Sequence, residues 1–436
     1  MESYWKKGME LPRFEALSGD LKTDVLIIGG GMAGILCAYF LQEAGVDCVV
    51  VEAERIGMGI TGNTTAKISS QHGLIYADLY RRLGKEKASL YLKANEEAIG
   101  DYRRLCQGMD CEFEEQDSFV YSLEDAKAVE EEAEALEKIG YSALFRDRLA
   151  LPISIAGAVG FSRQAQFHPL MFLSHIVSSL KVYEHTRVKE LIGRVALTDG
   201  GARIRAERIV VATHFPFLNK HGSYFLKMYQ SRSYVCAFRG ADKVDGMYLD
   251  ASGVGLSFRN AGELLLIGGG SHRTGKKSDA WRSAEVFAKK NYPDASCEFR
   301  WAAQDCMTLD RMPYIGAYSA RTHGLYVATG FGKWGMTSSM VSARLLTSML
   351  LGKRSAYESL FSPSRSMLHP QLAVNAWEAA SHLVSFSTKR CPHLGCALQW
   401  NPQERSWDCP CHGSRFDEEG RLLDNPATGD LPHGEG

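Results

Sequence analysis

Three features of the sequence predict an α/β chain: a nucleotide-binding domain, an antiparallel sheet inserted into it, and a small all-β module near the C-terminal end. A strand, glycine turn, helix and second strand occupy residues 23–52. Alternating apolar and polar runs fill 230–305, and four cysteines crowd into the 21 positions from Cys391 to Cys411. At 436 residues the chain exceeds what one core supports, so two or three domains are expected. Lys plus Arg number 50 against 51 Asp plus Glu, which leaves no electrostatic footprint for nucleic acid or an anionic membrane. The first twenty residues lack the apolar core of a signal peptide, and "MVSARLLTSMLLG" (340–352) is short and interrupted by Arg344. No transmembrane segment and a cytoplasmic location are therefore expected.

The first element reads "TDVLIIGGGMAGILCAYFLQEAGVDCVVVE". Gly29 permits the tight turn, Gly31 lets the backbone approach a pyrophosphate, and Gly34 lets the helix pack against the strand. The helix start supplies unpaired N–H groups for the anion. Glu52, 18 residues past Gly34, stands where a ribose hydroxyl would be bound. Two later glycine stretches differ from this one. "ELLLIGGGSHRTG" (263–275) leads into polar residues and reads as a strand end followed by a loop. "LYVATGFGKWGMTSSMVSARLLTSML" (325–350) has a strand, then Gly330, Gly332 and Gly335, then an amphipathic helix, but no acid-tipped strand follows. One dinucleotide is therefore expected, with no separate place for another.

Between these motifs, residues 80–139 carry helix-period charge such as "LEDAKAVEEEAEALEKIG", most simply solvated helix faces. Runs such as "SYVCAFRG" and "VGLSFRN" look like strands of a sheet that would roof the bound cofactor.

From about 20 to 352 the chain resembles the D-amino-acid oxidase superfamily of FAD-dependent oxidoreductases. The resemblance is carried by the fingerprint, "GITGNTTAKISSQHG" (59–73), "AQFHPLMFLSHI" (165–176), "RIVVATH" (208–214) and "TGFGKWGMT". It implies FAD, with Thr61, Gly62, Thr64 and Thr65 along the flavin, Val188 at the adenine, and the segment from Gly330, Gly332 and Gly335 through Met336 to Thr337 closing over the ring. A helix starting near Met336 would bring the positive end of its dipole to the reduced flavin. The implied division is a Rossmann-like FAD domain in three parts (about 20–80, 155–215 and 320–352) with an antiparallel-sheet substrate domain inserted (about 81–154 and 216–319).

Seven cysteines, Cys37 to Cys306, are scattered without a repeated spacing and fit buried small hydrophobes. The remaining four lie in "CPHLGC" (391–396) and "CPCHGS" (409–414). Cys409 and Cys411, one residue apart, make poor partners on one metal. Cys391-x-His393 and Cys409-x-x-His412 together offer two thiolates and two imidazoles. That set suits a Rieske centre, and it would also satisfy zinc, although C-x-H is poor zinc-loop spacing. The pair of motifs closely resembles Rieske proteins of the cytochrome bc type. The resemblance implies a 2Fe-2S cluster with Cys391 and Cys409 on one iron, His393 and His412 on the other, and a Cys396–Cys411 disulfide tying the loops together. Ser414 matches a hydrogen-bond donor of the high-potential members, whereas Phe416 stands where they have a tyrosine. A potential below the top of the range of about −150 to +300 mV is expected. Only 38 residues separate Gly352 from Cys391, so the Rieske domain is expected to be shortened, about 382–436 after a linker at 353–381. So small a core is expected to need support from the flavoprotein.

The whole chain resembles bacterial fusions of an FAD-dependent oxidoreductase with a Rieske module. The first functional expectation is oxidation of a small-molecule substrate, an amine or amino acid, with electrons passed singly to the cluster and an external acceptor. The alternatives are a reductase fed by an external donor through the cluster, and a redox sensor or electron-transfer module without small-molecule turnover. Arg259 could pair with a substrate carboxylate, His272 falls near the family's active site, and Trp334 is expected to line the pocket. No catalytic base is assigned, and His72 and His214 could equally be packing residues.

Overall fold

A computed structural model describes residues 2–219, 221–385, 387 and 389–432. The last four positions of the expected C-terminal module therefore lie outside the described residues. The first sheet has eight strands, centred on Leu21–Ile28, which pairs in parallel with Arg203–Val211 on one side and Cys48–Val51 on the other. Leu325–Thr329 extends the parallel set beyond Arg203–Val211, and Val182–Tyr183 extends it beyond Cys48–Val51. Val25 to Ile28 and Cys48 to Val51 are all buried, the near-continuous apolar run of strands covered on both faces. Helices Met32–Glu43 and Gly335–Leu350 pack against each other on one face. A Cβ on Gly34 would stand 2.0 Å from the Gly29 carbonyl oxygen, so only glycine admits this approach of helix to turn.

The second sheet has nine strands and is mostly antiparallel. Its long members are Met228–Arg239, Leu264–Arg273 and Ser296–Thr308. Two strands cross the expected division. Gly157–Gln166 runs in this second sheet, and Tyr314–Ala317 pairs in the first. Leu264–Arg273 also continues through Gly268 to Gly270, where the sequence suggested a strand end. Side chains there would meet Ser257 Oγ at 2.7 Å, Leu256 Cδ2 at 2.7 Å and the Ala280 oxygen at 2.4 Å, so these glycines admit neighbours and do not end the strand.

Helices Tyr76–Leu105 and Ala126–Lys138 cover the far edge. Their charges are not all solvated. Glu132 is buried, accepts the backbone N–H groups of Tyr76 (2.8 Å) and Ala77 (2.7 Å), and is pushed by burial up to about 7. The expected linker contains the helix Pro370–Val384, whose N-cap His369 accepts from Gln371 N–H. Four short strands, Gln399–Asn401, Ser406–Asp408, Arg415–Phe416 and Leu422–Asp424, form the C-terminal sheet. Among the described residues no helix is long and apolar enough to cross a membrane.

Candidate functional site

One cavity of about 1260 Å³ runs beneath the second sheet, larger than most small-molecule sites. Gly29, Gly31 and Met32 line it at the helix start, with Glu52, Thr61, Thr64, Thr65 and Val188 beyond them. Glu52 is held in place by the N–H groups of Gly30 (2.7 Å) and Glu54 (2.9 Å), and burial raises its pKa despite both bonds. Thr61 Oγ1 accepts the Met32 N–H at 3.0 Å, so the second loop caps the first helix. Gly34 faces the Gly29 turn and Ile27 and does not line the cavity. Gly62 does not line it either. Its Cβ would collide with Lys6 Cε at 2.7 Å, and its carbonyl accepts Ser3 Oγ, so it faces the N-terminal segment while Asn63 faces the cavity.

That N-terminal segment carries a role the sequence did not disclose. Trp5 is fully buried and donates to the Thr64 carbonyl at 2.6 Å, while Lys6 Nζ donates to Met58 O at 2.8 Å. From the other side, Trp301 Nε1 donates to Asn63 O at 2.9 Å. Arg259 completes the clamp and is thereby removed from the substrate pocket. Its guanidinium donates to the carbonyls of Thr65 (2.8 Å) and Ala66 (3.0 Å) and does not line the cavity. An unusual apolar pair, Tyr4 and Trp5, at the chain start was the available signal.

The late glycine loop closes the opposite side. Gly330, Gly332, Gly335 and Met336 all line the cavity, and the helix begins at Gly335. Trp334 lines it too, its ring stacked on His72 at 4.8 Å. His72 is a packing residue with a cavity edge. It meets Tyr91 Oη (2.7 Å), Ser69 O (2.8 Å) and Thr337 Oγ1 (3.0 Å), and burial pushes it down to about 3. His272 reaches the wall from the second sheet, stacked on Tyr234.

In the C-terminal module Cys396 and Cys411 form a disulfide that joins the two loops. It leaves Cys391 and Cys409, both buried, beside each other. The nearby Cys409 thiol lowers Cys391 to about 7, helped by the backbone amides of His393 and Leu394 and the Ser414 hydroxyl, against burial. Ser414 Oγ accepts the Ala427 N–H at 3.0 Å, which frees its own hydrogen for a sulfur. The rings of His393 and His412 stand 5.0 Å apart and perpendicular. The Nδ1 atoms of both are buried without a hydrogen-bond partner. His393 Nε2 lies 2.8 Å from Asn219 Oδ1, an acceptor only, so the proton sits on Nε2 and Nδ1 keeps its lone pair. Burial pushes His393 down to about 4 and, with the unfavourable prospect of two neighbouring imidazolium charges, His412 down to about 3, which keeps both imidazoles neutral.

The pattern of FAD dependent oxidoreductases matches residues 24–349. The chain belongs to that family. A Rieske [2Fe-2S] domain matches residues 365–434, so the oxidoreductase carries FAD and a 2Fe-2S cluster in one polypeptide. YhfW of Bacillus subtilis, whose description as a Rieske 2Fe-2S iron-sulfur protein is provisional, is 34% identical over 98% of this chain and 96% of its own. Gamma-glutamylputrescine oxidoreductase of Escherichia coli is 24% identical over 79% of this chain and 88% of its own. Glycine oxidase from Geobacillus kaustophilus shares the fold, with TM-score 0.67 and 20% identity over 79% of this chain and 99% of that one.

The residues present fit both groups. Two orphaned imidazole nitrogens on the same two loops as two adjacent thiols match the donor set of a Rieske cluster, and a glycine-lined helix start with a fixed acid matches a dinucleotide. The oxidoreductase also grips its Rieske domain directly. Gln230 Nε2 donates to the carbonyls of His412 (3.0 Å) and Asn425 (3.1 Å), while its Oε1 lies 3.2 Å from His214 Nε2 on the cavity wall. Gln304 donates to Gly413 O at 2.9 Å, and Arg273 to Pro410 O at 3.0 Å. Gly413 is required here, since a Cβ would stand 2.6 Å from that of Gln230 at φ +85°. Asn425 donates to Thr213 O and Phe215 O, and residues 422–425 line the same cavity as the fingerprint. The helix Pro370–Val384 docks through Asn375, which bonds Arg273 and the Leu226 carbonyl.

Proposed function

We propose that this oxidoreductase oxidises an amine or amino-acid-like substrate in the cavity and passes the electrons singly through its Rieske domain to an external acceptor. The observation that carries this reading is the shared wall: His214, beside the nucleotide fingerprint, and Asn425, from the Rieske domain, line one cavity and meet through Gln230. FAD, when bound, takes two electrons from a carbon next to nitrogen, whereas a 2Fe-2S cluster carries one at a time. The chain's own part is positional. Thr61, Thr64, Thr65 and Val188 would hold the nucleotide with the fingerprint glycines, and the loop Gly330–Met336 with Trp334 would close the substrate side. Cys391 and Cys409 would hold one iron, His393 and His412 the other. The names of two similar proteins, gamma-glutamylputrescine oxidoreductase and glycine oxidase, support an amine or amino acid. Its place of action is taken to be the cytoplasm.

Anaerobic mixing of holoprotein with a panel of amines and amino acids tests the reading. Bleaching of the flavin absorbance followed by a reduced-cluster paramagnetic signal is the expected result. A flavin that no member bleaches, but that a protein electron donor reduces, would overturn it.

A further inference from the structure

The cavity wall contains five carboxylates among the described residues: Glu52, Glu54, Asp250, Asp305 and Asp424. Four are occupied. Glu52 accepts two backbone amides, Glu54 pairs with Arg187 at 2.6 Å, Asp250 accepts the Ser252 N–H at 2.6 Å, and Asp424 pairs with Arg415 at 3.0 Å. Asp305 has no hydrogen-bond or ion-pair partner among the described residues, yet it stands on the roof strand Ser296–Thr308 opposite Ser231. Ala303, Asp305 and Met307 alternate onto the cavity face with Tyr229, Ser231 and Ser233 of the neighbouring strand, so among the described residues Asp305 is the one carboxylate in that stretch of roof.

The nearby cations are engaged elsewhere. Lys333 donates to Ser271 Oγ at 2.7 Å, and Arg232 is bound through its Nε to Glu404 at 2.6 Å. Their charges reach Asp305 without contacting it. Burial raises its carboxyl to about 6, with Lys333 and Arg232 holding it from rising further, so it is ionised at neutral pH. Asp305 stays partly exposed into the cavity, so a carboxylate with no protein partner there offers a cationic ligand a direct, charge-assisted ion pair.

Resting on the amine reading above, we propose that Asp305 is the recognition point for the substrate's ammonium group, which makes the substrate class a cationic amine entering against the roof sheet. Lys333 then acts in the opposite sense, as a nearby positive charge that weakens cation binding and limits which amines are accepted.

The test uses flavin-loaded holoprotein without oxygen and three probes of one shape and different charge: benzylamine, benzyl alcohol and benzoate. Binding is read from perturbation of the flavin absorbance, independent of turnover. Benzylamine should bind most tightly. Asp305→Asn should weaken it at least tenfold while leaving benzyl alcohol unchanged, and Asp305→Glu should restore part of the loss. Lys333→Met, at the same left-handed backbone position (φ +73°), should tighten benzylamine severalfold, an effect that a purely structural role would not produce. Benzoate binding more tightly than benzylamine, no perturbation by benzylamine, or an unchanged affinity in Asp305→Asn would overturn the proposal. The two readings separate cleanly. Amine bleaching with unchanged half-saturation in Asp305→Asn retains the oxidation and rejects Asp305. Asp305-dependent benzylamine binding with no amine ever bleaching the flavin retains the site and rejects the oxidation.

Discussion

The cavity at the glycine fingerprint and the pair of Cys/His loops are built by different means. The first is lined by segments hundreds of residues apart, with central parallel strands whose buried runs hold the glycine turn, and side chains such as Trp5, Trp301 and Arg259 tie down its second loop. The second consists of two loops on strands of two or three residues, above a core of Cys391, Cys396, Leu398, Cys409, Cys411, Phe416, Ala427 and Leu431. So small a core gives little stability of its own, and the domain compensates with a disulfide, a buried charge network and a neighbour's side chains. Arg415 lies at the centre of that network, paired with Asp408 at 2.9 Å, Glu404 at 2.9 Å and Asp424 at 3.0 Å. A large domain can afford rigid turns, whereas a small one needs cross-links.

The largest expected effects lie at the two centres themselves. Gly34→Val should abolish FAD retention and lower folded yield, because the helix cannot approach Gly29; flavin content per chain measures this. Cys409→Ala should remove the cluster iron while the flavin stays bound, so the iron-to-flavin ratio falls to near zero. An equal loss of flavin would show that the two sites are not separate in stability.

A smaller effect sharpens the role of the cross-link. Cys396→Ser opens a loop closed across a sequence separation of 15 residues, and should cost the Rieske domain about 3 kcal/mol. Denaturant titration followed by cluster absorbance should show earlier bleaching, with the flavin transition unmoved. Gln230→Ala leaves two carbonyls and His214 without their partner, at about 1–3 kcal/mol. Limited proteolysis should then release the C-terminal region sooner. If a stable, cluster-loaded fragment were released from wild type, the supported-module view would be refuted.

The smallest effect is in pH. Burial alone would raise Glu404, but its hydrogen bonds to Arg232 and the charges of Arg415 and Arg232 pull it down to about 2. Its stabilisation is therefore complete above the ordinary glutamate range near 4.5 and is lost as pH falls through about 2. The stability difference between wild type and Glu404→Gln should shrink over that window in denaturant titrations. A redox titration of the cluster should give a potential below the top of the Rieske range of about −150 to +300 mV, since Phe416 offers no donor.

Much of the site was legible because its chemistry is local. Gly29, Gly31, Glu52 and the pair of Cys/His loops are recognisable from spacing, since each turn constrains its own few residues. The misreadings share a cause in long-range contact. Arg259 looked like a free cation in a strand, but its partners, the carbonyls of Thr65 and Ala66, lie nearly 200 positions away. Glu132 looked solvated within an acidic run and instead caps a helix more than fifty residues earlier. Gly62 matched a family segment, yet which side of that loop meets the cavity depends on Ser3 and Lys6.

By itself the sequence determined that this chain folds around a dinucleotide and carries a two-cysteine, two-histidine cluster motif, because turn geometry and ligand spacing are written in neighbouring residues. Only the tertiary structure decided that the cavity and the Rieske domain share a wall through Gln230, that the N-terminal segment clamps the loop around Thr64, and that Asp305 faces the cavity without a partner among the described residues. Those facts depend on which distant groups satisfy one another's hydrogen bonds and charges, and a linear pattern does not encode that pairing.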